Sequence, residues 1–276
     1  LIAYSAGGGL VMVLLFAFFI LNRLQVTRRQ KKVIEEQKQK VEEQKQVVEE
    51  QKQKVEEQKK DITDSIRYAE NIQKALLPSE EDLSLLPEGF VLFQPKDIVS
   101  GDFYWMEEVG NYKFIAAADC TGHGVPGAMM SVICCNALNR AVREFELTDP
   151  ALILNKVREL VIRTFKNSEN QMRDGMDISL ISIDKNLNKF QDAGAYNSIY
   201  LICKSNETVT DETIILNNKM IVEIKGDRQP IGLFRNSKDF TTHEVPVKKG
   251  DSIYLFSDGF ADQFGGPEGK KYKYKP

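Results

Sequence analysis

The chain has 276 residues, and 37 Lys and Arg stand against 40 Asp and Glu, which gives a formal net charge of -3. This length allows one or two domains of ordinary size. The slightly acidic balance disfavours a nucleic-acid partner, because such proteins usually carry a basic surplus. Four Cys without a CxxC spacing and only two His disfavour a disulfide scaffold and a His-built zinc site. A reducing compartment is expected, and any metal chemistry would use carboxylates.

Residues 1–22 carry no charge. At about 1.5 Å per residue a helix of this length reaches roughly the 30 Å of a bilayer core, so the segment predicts a single transmembrane helix. Basic residues precede the first acid, which predicts that everything downstream lies on the cytoplasmic side of the inner membrane. A signal peptide is the weaker alternative, because its apolar region is normally shorter. The first residue is Leu, so upstream sequence is expected. The basic residues are Arg23, Arg28, Arg29, Lys31 and Lys32.

A seven-residue repeat lies within residues 23–61, which are interpreted as a charged coiled-coil linker. One position of the repeat is apolar and the position three further along is Gln, so the seam is half polar. Such a seam predicts a marginal coiled coil that forms a homodimer, while a solvated single helix acting as a spacer is equally compatible. The apolar positions are Ile34, Val41, Val48 and Val55, and the polar ones are Gln37, Gln44, Gln51 and Gln58.

Residues 62–78 predict an amphipathic helix that connects the coil to a folded domain, residues 79–276. The helix is recognised by apolar residues near a 3.6-residue spacing, and Pro78 ends it. In the domain, strands outnumber helices and follow one another as antiparallel neighbours, which predicts an α+β layered fold. Predicted strands are Val91–Phe93, Phe103–Glu107, Tyr112–Ala118, Asp177–Ile183, Ile199–Cys203 and Ser252–Phe256, and predicted helices are Gly127–Phe145 and Pro150–Phe165.

Three motifs place an acidic residue beside an apolar strand and a turn. Asp102 follows Gly101, a residue that allows close backbone approach. Asp119 and Asp258 each end an apolar strand and lead into a glycine-containing turn. Taken alone, Asp258 is more simply a turn residue. Together, strand-end carboxylates and nearby backbone carbonyls are the hard oxygen ligands that Mg²⁺ and Mn²⁺ prefer, so a shared cation site is predicted.

Five motifs follow one another along residues 62–276: GDFYW, ADCTGHGVPGAMMS, DAGAYNSIYL, RQPIGLF and YLFSDGFADQF. In this order they resemble the SpoIIE-like serine/threonine phosphatases, the bacterial branch of the metal-dependent PPM (type 2C) protein phosphatases. ADxxGHG followed by LFSDG is the most specific part of the resemblance. The resemblance implies an α-β-β-α sandwich of two antiparallel sheets flanked by helices, with two Mn²⁺ or Mg²⁺ ions at one end.

The same resemblance implies roles for individual residues. Asp119 would bridge both metals, the backbone carbonyl of Cys120 would bind one, Asp258 the other, and Asp102 would hold metal-bound water. A water activated by both cations would attack the phosphorus of phosphoserine or phosphothreonine in a protein substrate. The cysteine thiols would not act as nucleophiles. By resemblance, the expected substrate is a STAS-type anti-sigma-factor antagonist, although nothing in these residues selects it.

Two roles are compatible with each of several other polar residues near the motifs. His123 suits the turn beside the metals slightly better than proton transfer. Asp174 and Asp177 are expected to support the site or a turn rather than bind metal. Arg228 and Gln229 could border a substrate groove, although surface exposure is the default for Arg.

The printed residues depart from the family pattern at the end of the chain. The family continues with a helix and a strand bearing an Asp-Asp pair, one member of which completes the metal site, whereas this sequence stops at Pro276. A signalling phosphatase is therefore expected, with weak or no activity for residues 1–276 alone. The alternative from another class is a catalytically inactive phosphatase fold that acts as a binding module.

Overall fold

The computed structural model describes residues 2–84, 89–166, 174–186, 189–204, 213–216, 219–245, 247–265, 267 and 269–271. The chain divides into two compact units, Leu1–Asp64 and Ser65–Pro276. The helices are α1 (Ile2–Lys74), α2 (Glu80–Ser84), α3 (Gly124–Arg143) and α4 (Pro150–Phe165). The strands are β1 (Phe103–Val109), β2 (Tyr112–Cys120), β3 (Gly175–Asp184), β4 (Lys189–Ala195), β5 (Ile199–Lys204), β6 (Thr213–Leu216), β7 (Lys219–Ile224), β8 (Ile231–Gly232), β9 (His243–Val245), β10 (Ser252–Leu255), β11 (Phe264–Gly265) and β12 (Lys270–Lys271).

The first unit is helical and contains most of α1. Val41 and Val55, two apolar positions of the heptad, are each 61% exposed, so their side chains are available for contact. The coiled coil stays a prediction. Among the described residues, no helix combines the length and the apolar character that a bilayer crossing requires. The predicted span at residues 1–22 and the inner-membrane location are therefore wrong. The prediction rested on the absence of charge, but residues 5–9 add little hydrophobicity.

The second unit is built on two antiparallel sheets. The larger sheet has six strands in the order β1-β2-β3-β4-β9, with β8 paired to β3. The smaller has four strands in the order β10-β5-β7-β6. Strands β11 and β12 form a separate pair.

One face of the six-stranded sheet packs against α3 and α4. The core there includes Trp105, Phe114, Leu138 and Leu180, all at most 2% exposed. The opposite face meets the four-stranded sheet, where Ile181 packs with Ile199 and Leu201 from β5. Three layers are therefore seen; the described residues contain no second helix layer against the smaller sheet. The structure confirms antiparallel sheets in a mixed α and β domain.

Most predicted elements match the structure. Helix α4 has the predicted bounds, because Asp149 caps its first turn by accepting a hydrogen bond from the amide of Leu152 and Pro150 occupies the first turn. The strand predicted at Val91–Phe93 is wrong: these residues form no ladder, and Leu92 is 76% exposed. Strand β4 was missed because its small and polar residues, including Asp192, give no apolar alternation.

Candidate functional site

Three of the acidic residues lie side by side at one end of the six-stranded sheet. Strands β1 and β2 pair so that Phe103 faces Ala118, which puts Asp102 next to Asp119. In the neighbouring pair of strands, Asp119 lies directly opposite Asp177. Antiparallel pairing therefore brings together carboxylates that are up to 75 positions apart in the numbering.

Asp258 reaches the same place from the other sheet. Strand β10 ends at Leu255, and a short 3₁₀ turn begins at Asp258. The hydroxyl of Ser257 donates a hydrogen bond of 2.6 Å to Oδ2 of Asp102, which fixes this turn against the start of β1. The charges of Asp102 and Asp258 both raise the pKa of Asp119, which indicates that the three carboxyl groups lie close together. The structure thus brings together the three predicted carboxylates, while their chemical roles stay predictions.

These four carboxyl groups are called the acidic cluster: Asp102, Asp119, Asp177 and Asp258. The pKa values of two of its members are raised. Burial, followed by the charges of Asp102 and Asp258, raises the pKa of Asp119 to about 8. Burial and the charge of Asp258 raise the pKa of Asp177 to about 6. Burial and the neighbouring carboxylates therefore disfavour the ionised forms of Asp119 and Asp177.

The donor set suits a hard divalent cation, although no preformed cage is present. Within the described ranges, no group of three or more His, Cys, Asp or Glu side chains is arranged to hold a metal ion. The carboxylate oxygens are nevertheless the ligand type that Mg²⁺ and Mn²⁺ prefer, and a cation would stabilise the ionised form of Asp119, which burial and the charges of Asp102 and Asp258 disfavour.

The backbone beside the cluster is closely packed around Gly101. A Cβ atom at this position would lie 2.9 Å from the carbonyl oxygen of Cys120 and 2.8 Å from that of Gly122. The predicted close approach at Gly101 is therefore confirmed. The Cys120 thiol points into the core and is 3% exposed; its hydrogen bond with Cys134, together with burial, raises its pKa well above the ordinary value. A thiol in this state is a poor nucleophile.

Thr121 fixes the loop that follows Asp119, and no sequence pattern singles it out. Its hydroxyl donates a hydrogen bond of 3.2 Å to Asp174 and accepts one of 3.1 Å from the amide of Gly175. Its own amide donates to the carbonyl of Gly175. Asp174 therefore supports the loop through Thr121, in line with the supporting role expected for it.

Gln73, in the last turn of α1, is a second residue that was missed. It is 6% exposed, donates to the carbonyl of Ser100 (2.6 Å) and to the hydroxyl of Ser131 (2.8 Å), and accepts from the amide of Ser100 (3.1 Å). Ser100 precedes Gly101 and Asp102, so Gln73 holds the segment that carries a cluster carboxylate. A Gln on the same face as Ile66 and Ala69 was the available signal.

The remaining predicted residues lie at the edges of this region or outside it. His123 is exposed, and its Nδ1 atom lies 3.5 Å from Oδ2 of Asp97. Gln229 is buried and exchanges hydrogen bonds with the backbone of Lys238, so it stabilises a loop and does not border a groove. Arg228 is exposed.

The two antiparallel sheets and the carboxylates that converge at one end define a domain of the PP2C class. The chain belongs to the SpoIIE family: the sequence profile described as Stage II sporulation protein E (SpoIIE) matches residues 110–275.

Two individual proteins illustrate this relationship. The SiaA-PP2C domain of Pseudomonas aeruginosa is 33% identical, with a TM-score of 0.64 over 79% of this chain and 80% of that one. The phosphoserine phosphatase RsbU of Bacillus subtilis (strain 168) is 28% identical over 208 residues, which cover 73% of this chain. The matched region spans 55% of the length of RsbU, so about half of that relative is represented.

Proposed function

We propose that this protein is a metal-dependent phosphatase that hydrolyses phosphoserine or phosphothreonine in a protein substrate. The observation that carries the proposal is the convergence of Asp102, Asp119 and Asp258 from two sheets. Membership of the SpoIIE family supports the same reaction class, and a phosphoserine phosphatase is among the relatives.

In this proposal Asp119 and Asp258 hold divalent cations, together with the backbone carbonyl of Cys120, and Asp102 orients water at the site. Bound Mn²⁺ or Mg²⁺ supplies an acidified water and neutralises charge on the phosphoryl oxygens. The chain's own contribution is positioning: Ser257 orients Asp102 through the 2.6 Å hydrogen bond, and Thr121 fixes the loop after Asp119. Asp177, opposite Asp119, adds negative charge that favours cation binding.

Phosphate release from a phosphoserine peptide, measured with and without Mn²⁺, tests this function. We expect turnover that requires Mn²⁺ or Mg²⁺ and is abolished by Asp119→Asn. Asp239→Asn is a matched control, because Asp239 carries the same carboxyl group on an exposed loop paired with Arg158. The assay uses residues 1–276 and, where the coding sequence continues past Pro276, the longer protein as well. Metal-independent turnover, or turnover that survives Asp119→Asn, would contradict the proposal.

A second candidate function is a binding module that recognises a phosphorylated partner without turnover. It is favoured by one observation: the described residues contain no preformed group of three metal-ligating side chains. This function would be selected over hydrolysis if a phosphoprotein binds, its binding does not change with Mn²⁺, and it is not dephosphorylated. The result should be the same for residues 1–276 and for the longer chain.

The partner in either case would be a phosphorylated protein, and a STAS-type anti-sigma-factor antagonist stays the specific expectation.

We also propose that two copies of the chain pair through the exposed heptad positions of α1, such as Val41 and Val48. Because α1 runs without a break to Lys74, pairing would restrain the turn that contains Gln73. Replacing Ile34, Val41, Val48 and Val55 by Ala should then change both the oligomeric state and the activity.

A further inference from the structure

Next to the acidic cluster, the inner face of the six-stranded sheet contains two deeply buried polar side chains. Ser179 on β3 is 0% exposed and Asp192 on β4 is 1% exposed. Ser179 lies opposite Gly194, and Asp192 lies opposite Ile181, which packs against the smaller sheet. Both therefore point to the same face from diagonal positions, which are about 7–8 Å apart in antiparallel sheets.

These side chains lack the hydrogen bonds that buried polar groups normally make. Within the described part of the chain, Oγ of Ser179, Oδ1 of Asp192 and Nδ2 of Asn197 are buried without a hydrogen-bond partner. By contrast Ser182, on the other face of β3, donates a 2.7 Å hydrogen bond to the carbonyl of Thr148. A buried polar atom without a partner destabilises the folded state, so three of them in one region call for a partner.

The groups around these side chains are polar on one side and apolar on the other. Gly194, which lies opposite Ser179 and two residues from Asp192 on β4, has no side chain, and the carbonyl of Asn197 lies against it. The smaller sheet contributes the apolar side chains of Ile199 and Leu201 to this interface. These two side chains offer no hydrogen-bond partner, and a diagonal separation of about 7–8 Å between Ser179 and Asp192 is too long for a direct hydrogen bond but suits a bridge.

We propose that internal water is bound at this place, bridging Oδ1 of Asp192 and Oγ of Ser179, with Nδ2 of Asn197 as a further donor. Ser179 can donate or accept, so the three side chains offer the two to four polar partners that a buried water needs. Burial also raises the pKa of Asp192 to about 8, so its carboxyl group is neutral at pH 7 and able to donate. The site adjoins the acidic cluster, because Ser179 follows Asp177 by two residues on the same face of β3, but bound water there does not depend on the proposed reaction.

Equilibrium unfolding of the intact chain at pH 7 distinguishes bound water from unmet polar atoms. If water is bound, Ser179→Ala removes a hydrogen bond and should raise the unfolding equilibrium constant about fivefold. Ser182→Ala, which removes a direct hydrogen bond from the same strand, calibrates that loss. An unchanged or lowered constant for Ser179→Ala would overturn the proposal, because deleting an unpartnered hydroxyl is neutral or stabilising.

A crystal structure of the unsubstituted chain gives a second test that does not depend on any variant. We expect density for a water within hydrogen-bond distance of Asp192 and Ser179. A direct hydrogen bond between these side chains, a metal ion at the position, or a dry contact with the smaller sheet would overturn the assignment.

Discussion

Neighbouring residues of β2 and β3 point to two very different surroundings. Towards α3 and α4, Ala118, Ile178 and Leu180 are at most 1% exposed and pack in an apolar core. On the opposite face of the same strands, Asp119 and Asp177 face each other with raised pKa values. The first face therefore only stabilises the fold, while one end of the other face keeps an electrostatically unfavourable group of carboxyl groups that a bound cation would relieve.

The largest effect is expected from Asp119→Asn. If the acidic cluster binds the catalytic cations, this change should lower Mn²⁺-dependent phosphate release about a thousandfold or more. Without metal, the same change removes repulsion with Asp102 and Asp258 and should leave stability equal or higher. Kinetics and chemical denaturation of the same sample check both parts. A destabilised protein with proportionate loss of activity would mean that Asp119 is structural.

Leu180→Ala tests the opposite face. Leu180 is 0% exposed, so the cavity should lower the free energy of unfolding by about 2–5 kcal/mol. The turnover of the remaining folded protein should stay close to normal, because the side chain points away from the acidic cluster. Denaturant unfolding and specific activity below the transition measure the two quantities. A stability loss under about 1 kcal/mol would contradict the assignment of this face to the core.

The pH dependence of the free energy of unfolding tests the burial of Asp192. Its folded-state pKa, raised by burial to about 8, exceeds the usual 3.8. The stabilisation from its protonated form is fully present below about pH 4 and is lost as the pH rises to about 8, at up to about 1.4 kcal/mol per pH unit. Asp192→Asn should remove this slope.

Unfolding curves between pH 5 and pH 8, roughly the window of the shift, measure the effect. His243 lies directly across from Asp192 on β9, so His243→Gln serves as the control for its contribution. An identical slope in the parent chain and in Asp192→Asn would show that Asp192 is charged in the folded state.

Gln73→Leu should have the smallest effect. It removes hydrogen bonds to Ser100 and Ser131, each contributing about 1 kcal/mol, and loosens the segment that carries Asp102. Activity is expected to fall about tenfold, mainly through weaker cation binding. Lys74→Leu, at the next position and exposed, is the matched control and should be neutral. Equal activity of both variants would contradict a positioning role for Gln73.

The cluster could be predicted from sequence because each acid lies beside an apolar strand and a turn, as Asp119 and Asp258 show. Such signals are local. The residues that orient the acids were missed because their partners are distant in sequence: Ser257 bonds Asp102 across 155 positions, and Gln73 bonds Ser131 across 58. Asp192 was missed for another reason: in its strand, small and polar residues occupy buried positions, which hides the alternation expected of a half-buried strand.

The interpretation of residues 1–22 shows the limit of a length argument. The absence of charge was used as the criterion, whereas no helix among the described residues meets the requirement for both length and apolar character. By contrast, Gly101 was correctly interpreted, because a glycine beside a strand-end acid indicates a specific steric need that the structure confirms.

Calorimetric titration of the intact chain with Mn²⁺ at pH 7 tests directly whether Asp119 and Asp258 hold divalent cations while Asp102 orients water. Because the pKa of Asp119 is about 8 without metal, binding should release a proton, which appears as a dependence of the measured heat on the buffer. We expect saturable binding with proton release, and loss of both in Asp119→Asn but not in Asp239→Asn. Equal Mn²⁺ binding by the parent chain and Asp119→Asn would contradict the account.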